Sequence, residues 1–242
     1  MLGYSGMGIA ENFESVKQRI NAACERSGRR PDSVILVAVC KGHPPEAVRE
    51  AFECGIRVFG ENKIQEAKAK IPLCPSGISW HLIGHLQTNK ARDAVRFFDM
   101  IHSVDSLKLA EELDKRAAQV QRKIPILIEV NVSGETTKFG YPPSLLIGEI
   151  KRLSEFQNLD LQGLMTMAPF VDDPELTRPV FRRLRELKNE CEQILNRPLP
   201  HLSMGMTNDF EVAIEEGATM VRIGTAIFGE RRVYKPDIPQ QD

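Results

Sequence analysis

Lys41 closes an apolar run, "VILVAVC", and is followed by Gly42, His43 and two prolines that open a helical stretch. A primary amine held between apolar strands loses solvation, and its pKa can fall by up to ~3–5 units. The neutral amine is then able to condense with an aldehyde to form a Schiff base. Position alone leaves a structural reading open, in which Lys41 caps strand carbonyls or pairs with a carboxylate such as Glu61. Far along the chain, "HLSMGMTND" and "VRIGTAIFG" gather residue types suited to an anion. Ser203 and Thr225 offer hydroxyls, while Gly205 and Gly224 let backbone N–H groups approach closely. Any tight βα turn uses glycine, so these loops gain weight only beside the lysine. A Schiff-base amine and a phosphate cradle at one site point to pyridoxal phosphate.

Other constellations carry less. His81 and His85 lie four apart on a strand-like segment, about 13 Å at ~3.3 Å per residue, too far to share a metal. They read as a barrel-interior or strand-end pair, and His102 and His201 as isolated strand residues. No carboxylate pair has metal-ligand spacing, so no metal is expected. A P-loop G-x-x-x-x-G-K-[ST] is absent, and phosphate from ATP is not indicated.

The elements that must position these residues follow from the apolar pattern. Ile9, Phe13, Val16, Ile20 and Ala23 keep helical spacing, so the chain opens with a helix. Eight short apolar segments follow: "VILVAVC", "RVFGEN", "WHLIGH", "MIHSV", "ILIEVNV", "LQGLMTM", "HLSMG" and "MVRIG". Helical text lies between them. "PEAVREAFECG" has Pro at its start, Glu in its first turn and Gly past its end, and "NDFEVAIEEG" offers Asn208 as a cap with Glu211 three residues on. Strands too apolar for a wet face, alternating with helices over 242 residues, predict a TIM-type (β/α)8 barrel with an extra N-terminal helix. A doubly wound open sheet would show fewer strands and a G-x-G-x-x-G turn after the first. In a barrel, Lys41 falls at the C-terminal mouth, where chemistry sits, and the last two strand loops build the phosphate site, with a short helix starting at Thr225.

Composition narrows the function classes. With 42% hydrophobic residues and no repeat, residues 1–242 read as one domain, with 1–8 and 231–242 as flexible ends. Lys plus Arg number 32 against 33 Asp plus Glu, a net charge of -1 without a basic run, so nucleic acid is not an expected partner. No apolar run approaches the ~20 residues of a membrane span, and no leader is evident. Five cysteines without a C-x-x-C pair suit reduced thiols. A cytoplasmic monomer is the expectation.

"VAVCKGHPPEAV", "FGENKIQEA", "WHLIGHLQTNKAR", "VNVSGETTKFG", "GLMTMAP" and "LSMGMTNDFEVAIEEGATMVRIGTAIFG", in this order, resemble the pyridoxal 5'-phosphate homeostasis protein family, relatives of the alanine racemase barrel. The resemblance covers the chain from the first helix to about residue 230. It implies that Lys41 carries the cofactor as a Schiff base and that Ser203, Arg222, Gly224 and Thr225 hold its ring and phosphate. Asn62, from "FGENK", is implied as a ring-side contact. Members often carry a second lysine where this chain has His43. Lys138 and Lys235 match family lysines thought to help the cofactor on or off, and solvated surface charges are the plainer reading of both.

Arg222 stays charged and only donates, so facing a pyridine nitrogen it opposes that nitrogen's protonation and makes the ring a poorer electron sink. The alternative is an ordinary arginine lining the barrel. A racemase of the related kind takes a second base, a tyrosine, from a further domain. Beyond "AIFG" this text runs only to Asp242, with Tyr234 its sole tyrosine there. The expected function is therefore a non-catalytic carrier and buffer of pyridoxal phosphate, serving vitamin B6 and amino-acid homeostasis and delivering cofactor to apo-enzymes. A weak amino-acid racemase, a cofactor-free Schiff-base aldolase and a scaffold for a protein partner are the alternatives.

Overall fold

A computed structural model describes residues 8–135 and 138–230. Its eight parallel strands are β1 (Ile35–Val39), β2 (Val58–Glu61), β3 (Ser79–Leu82), β4 (Met100–Val104), β5 (Ile124–Glu129), β6 (Leu159–Met165), β7 (His201–Ser203) and β8 (Met220–Ile223). They pair in sequence order, and β8 returns to β1 through Ile35 opposite Met220 and Ala38 opposite Ile223, which closes the barrel. Every expected apolar segment overlaps one of these strands, although β3, β5 and β6 begin one or two residues before the expected text. Each strand is covered on both faces, which is why it reads as an apolar run and not as an alternation.

The helices are α1 (Ile9–Arg26), α2 (Pro45–Glu53), α3 (Ile64–Lys70), α4 (Ala91–Phe97), α5 (Leu107–Gln119), α6 (Pro143–Ser154), α7 (Arg178–Leu195), α8 (Phe210–Glu215) and α9 (Thr225–Phe228). α2 starts on Pro45 with Glu46 in its first turn and stops before Gly55, whose φ of 103° suits glycine. Ser106 caps α5 by accepting from the Leu109 N–H at 3.3 Å, and Leu109, Leu113 and Ala117 line its barrel face. α1 is the extra element. It packs on α8 and α9, where Arg19 pairs with Glu211 at 2.8 Å and buried Asn12 donates to the Ile227 carbonyl at 3.0 Å.

α8 does not begin as its sequence suggests. Asp209, not Asn208, is its N-cap, and the Asp209 carboxylate accepts from the Met206 N–H at 2.7 Å. The capping-box text was misleading because the turn before the helix uses the neighbouring acid.

Side-chain alternation sorts the core in two. Val37, Val39, Ile83, Leu127, Met165 and Met220 form a small cluster inside the barrel, and the larger cluster packs between strands and helices. On β1 this puts Ala38 and Cys40 toward the helices and Val37 and Val39 inward. Residues 1–7 and 231–242, most of the ends expected to be flexible and including Tyr234 and Lys235, lie outside the described residues.

Candidate functional site

A cavity of about 470 Å³ opens at the C-terminal mouth, the size of a small-molecule site. Lys41, Asn62, Arg222, Gly224 and Thr225 all line it. They come from the ends of β1, β2 and β8, and barrel closure is what brings β8 beside β1. Lys41 continues the inward parity of Val37 and Val39, while Glu61 falls on the opposite face. Glu61 is fully buried and pairs with Lys70, with the Cys40 thiol donating to it at 3.1 Å. It is therefore part of the scaffold behind the lysine.

The β7 loop contributes more than its glycine. Gly205 has φ of 91°, and a Cβ there would stand 2.6 Å from the Ala213 Cβ, so only glycine fits the turn. At Gly224 a Cβ would meet the Val39 carbonyl at 3.1 Å, so glycine lets the end of β8 pack closely on β1. Thr207, Asn208 and Asp209 also line the cavity, and the sequence marks Asn208 only as a helix cap and the other two not at all. Asp209 is buried, and burial raises its pKa against the Met206 N–H and the Arg222 charge, which lower it. The text "MTND" reads as turn and cap chemistry, so its only signal was its place after the seventh strand.

Ser203 does not line the cavity. Its hydroxyl lies beneath, accepting from Arg222 at 2.6 Å and standing 2.9 Å from His102 Nδ1. His102 Nε2 in turn lies 2.9 Å from His81 Nδ1, and His81 Nε2 lies 3.2 Å from the Ser79 hydroxyl. Because Arg222 only donates, the arrangement that pairs every hydrogen runs one way: Arg222 to Ser203, to His102, to His81, to Ser79. His102 is thus not isolated, as expected, but the middle of a polar chain through the barrel. Burial pushes His81 down to about 4, with His201 adding to the effect, and drives His102 well below its ordinary value, helped by His81 and Arg222. Both imidazoles are neutral. Burial also brings Arg222 down to about 10 against Asp209 and Glu129, so the guanidinium remains charged near neutral pH. Its second amino group donates to the Thr166 carbonyl at 2.9 Å.

His85 is separate from His81: it lies 3.1 Å from Asp105 and stacks on Phe139 at 3.6 Å. His201 lies 3.3 Å from the Thr219 hydroxyl. Lys138 pairs with Glu135 at 2.7 Å, and His43 packs on the Phe228 ring of α9 at 5.1 Å. Among the described residues, no group of three His, Cys, Asp or Glu could hold a metal ion, and no helix is long and apolar enough to cross a membrane.

Fold and site together define a barrel of the alanine racemase N-terminal domain class, whose family profile matches residues 9–232. A pyridoxal phosphate homeostasis protein of Aquifex aeolicus is 47% identical over 227 residues, covering 93% of this chain and 100% of the relative. The chain belongs to the pyridoxal phosphate homeostasis protein family. PipY of Synechococcus elongatus PCC7942, solved without PLP, superposes with a TM-score of 0.82 at 42% identity, covering 91% of this chain and 100% of that one. The same protein with PLP bound gives 0.80 at 41% identity over the same shares.

Proposed function

We propose that this chain binds pyridoxal 5'-phosphate reversibly through a Schiff base on Lys41, buffers the free aldehyde and releases the cofactor to apo-enzymes. The carrying observation is the cavity that gathers Lys41, Asn62, Arg222, Gly224 and Thr225. The residues fit the group on three counts. Lys41 is a primary amine at the mouth. Asn62 lines the cavity, and its buried Oδ1 has no hydrogen-bond partner. Gly224 and Thr225 line the cavity with a backbone free of side chain and a hydroxyl, both suited to an anion. The PLP-bound relative and the names of the curated relatives support the same ligand.

When bound, the cofactor supplies an aldehyde, an aromatic ring and a phosphate. Lys41 holds the aldehyde carbon. Thr225 donates its hydroxyl to the phosphate, and Gly224 lets the backbone approach it. Asn62 takes the ring side. Arg222 donates and never accepts, so it holds a ring nitrogen unprotonated, which weakens the ring as an electron sink. Ser203 acts one step removed, by holding Arg222. The weakened electron sink supports a non-catalytic role.

The test compares wild type with Lys41→Ala. The variant should lose the visible absorption of the lysine-bound cofactor and still bind it weakly through the phosphate wall. Loaded wild type should turn over no common amino acid near the ~10 s⁻¹ typical of dedicated enzymes. Racemisation or transamination at such rates contradicts the carrier role, and unchanged absorption in the variant contradicts the Lys41 linkage.

A further inference from the structure

The two backbone groups that flank Lys41 are held by one buried ion cluster on the helix side of the sheet. Lys70, the last residue of α3, and Glu61, the last of β2, are both fully buried. The Lys70 ammonium donates to the Cys40 carbonyl at 2.8 Å, to Glu66 at 2.9 Å and to Glu61. Glu66 in turn accepts from the Gly42 N–H at 2.5 Å. Gly42 has φ of 74°, a left-handed conformation that turns this amide toward α3. The residue before Lys41 therefore gives its carbonyl, and the residue after it its amide, to side chains of one short helix.

Burying full charges costs several kcal/mol per ion even after relaxation, and apolar side chains of similar volume often replace such groups without loss. Packing alone does not call for a lysine and two carboxylates at the foot of α3. Gripping a carbonyl and an amide on opposite sides of one residue does, because that needs a multiple donor and an acceptor held together. Burial opposes the Lys70 charge, but Cys40, Glu61 and Glu66 outweigh it and shift the group upward, so it stays a donor. Burial and then Glu61 push the Cys40 thiol well up, and it stays a donor to Glu61 as well.

We infer that Lys70, Glu66 and Glu61 are positioning residues for Lys41, fixing the turn from which its amine reaches the cofactor aldehyde. The inference rests on the Lys41 linkage proposed above. Lysine carries a flexible four-carbon stem, so its amine is well placed only if its backbone is. The clamp acts on bond formation at the aldehyde and leaves untouched the contacts of Arg222, Gly224 and Thr225, which lie at the end of neighbouring β8 and on α9.

The test uses the full-length apo-protein and two ligands. Pyridoxal 5'-phosphate bonds the lysine, whereas pyridoxine 5'-phosphate keeps ring and phosphate but carries an alcohol in place of the aldehyde. The variants are Lys70→Met with Glu61→Gln, which removes the buried charges as a pair, Glu66→Leu, which removes the acceptor for Gly42, and Glu66→Gln, which keeps it. The first two should slow covalent capture of pyridoxal 5'-phosphate by about tenfold or more, while pyridoxine 5'-phosphate binds as in wild type. Glu66→Gln should restore capture. Thermal melts identify folded variants, and if the paired substitution does not fold, Glu66→Leu against Glu66→Gln carries the test. Unchanged capture overturns the inference. So does an equal loss of both ligands, which would mark a damaged mouth. A wild type that forms no borohydride-stable adduct on Lys41 refutes the underlying linkage instead, and the clamp with it.

Discussion

Behind Lys41, on the helix side of β1 and β2, burial surrounds full charges; beneath Arg222, inside the barrel, it surrounds neutral imidazoles and hydroxyls. Lys70 sits among two carboxylates and a carbonyl and is held protonated. His81 and His102 are as deeply buried, but their neighbours are each other, hydroxyls and the cationic Arg222, and both are driven to the neutral form. Burial by itself penalises charge in both places. The partners decide whether the charge survives, and each outcome serves the site: a charged clamp can grip backbone groups, while a neutral chain holds Arg222 without adding a second positive charge beneath it.

The largest effect should come from breaking the charged wall on one side. Lys70→Ala alone strands Glu61 in the core and should lower unfolding free energy by about 3–5 kcal/mol in urea titrations. Lys70→Met with Glu61→Gln should cost far less, and an equal cost would show that the pair stabilises through its charges.

The neutral wall answers to pH. The folded-state pKa of His81 is depressed from its ordinary 6.5 to about 4, so its contribution is fully present above 6.5 and is lost as pH falls toward 4. At about 1.4 kcal/mol per unit, the loss is roughly 3 kcal/mol. Glu129 runs the other way: burial pushes it up from 4.5 to about 7, so its folded state favours the proton and stability falls as pH rises through that window. The difference between the wild-type and His81→Asn profiles isolates the histidine. It should grow between pH 4 and 6.5 and be flat above, and parallel profiles would mean His81 is not buried neutral.

A smaller contrast separates direct from indirect contacts with the ligand. Thr225→Val should weaken pyridoxal phosphate retention by ~1.5–3 kcal/mol and barely affect pyridoxal. Ser203→Ala, acting through Arg222, should weaken both modestly. Smallest of all, Lys138→Ala removes only a pair with Glu135 near the surface, and the melting midpoint should stay within measurement error of wild type.

The barrel was legible because its strands are covered on both faces and announce themselves as apolar runs. Lys41, Gly224 and Thr225 were legible as residues at strand ends, Asn62 and Arg222 only through the family resemblance, and the cavity brings these five together. What escaped depends on register and distance in sequence. Glu61 looked like a partner for Lys41, but the two-residue alternation of β2 turns it to α3, where Lys70 has no local mark as a buried ammonium. His102 meets Ser203 across 101 positions, a contact no window along the chain contains. Asp209 was hidden by a capping pattern that fits its neighbour Asn208 equally well.

The central claim is that Lys41 is the amine that carries the cofactor. Wild-type protein saturated with pyridoxal 5'-phosphate, reduced with borohydride and digested, should yield one principal pyridoxyl-modified peptide, containing "VILVAVCKGHPPEAV" with the label on Lys41. A principal label on Lys70, Lys138 or any other lysine, or no label at all from saturated protein, would contradict it.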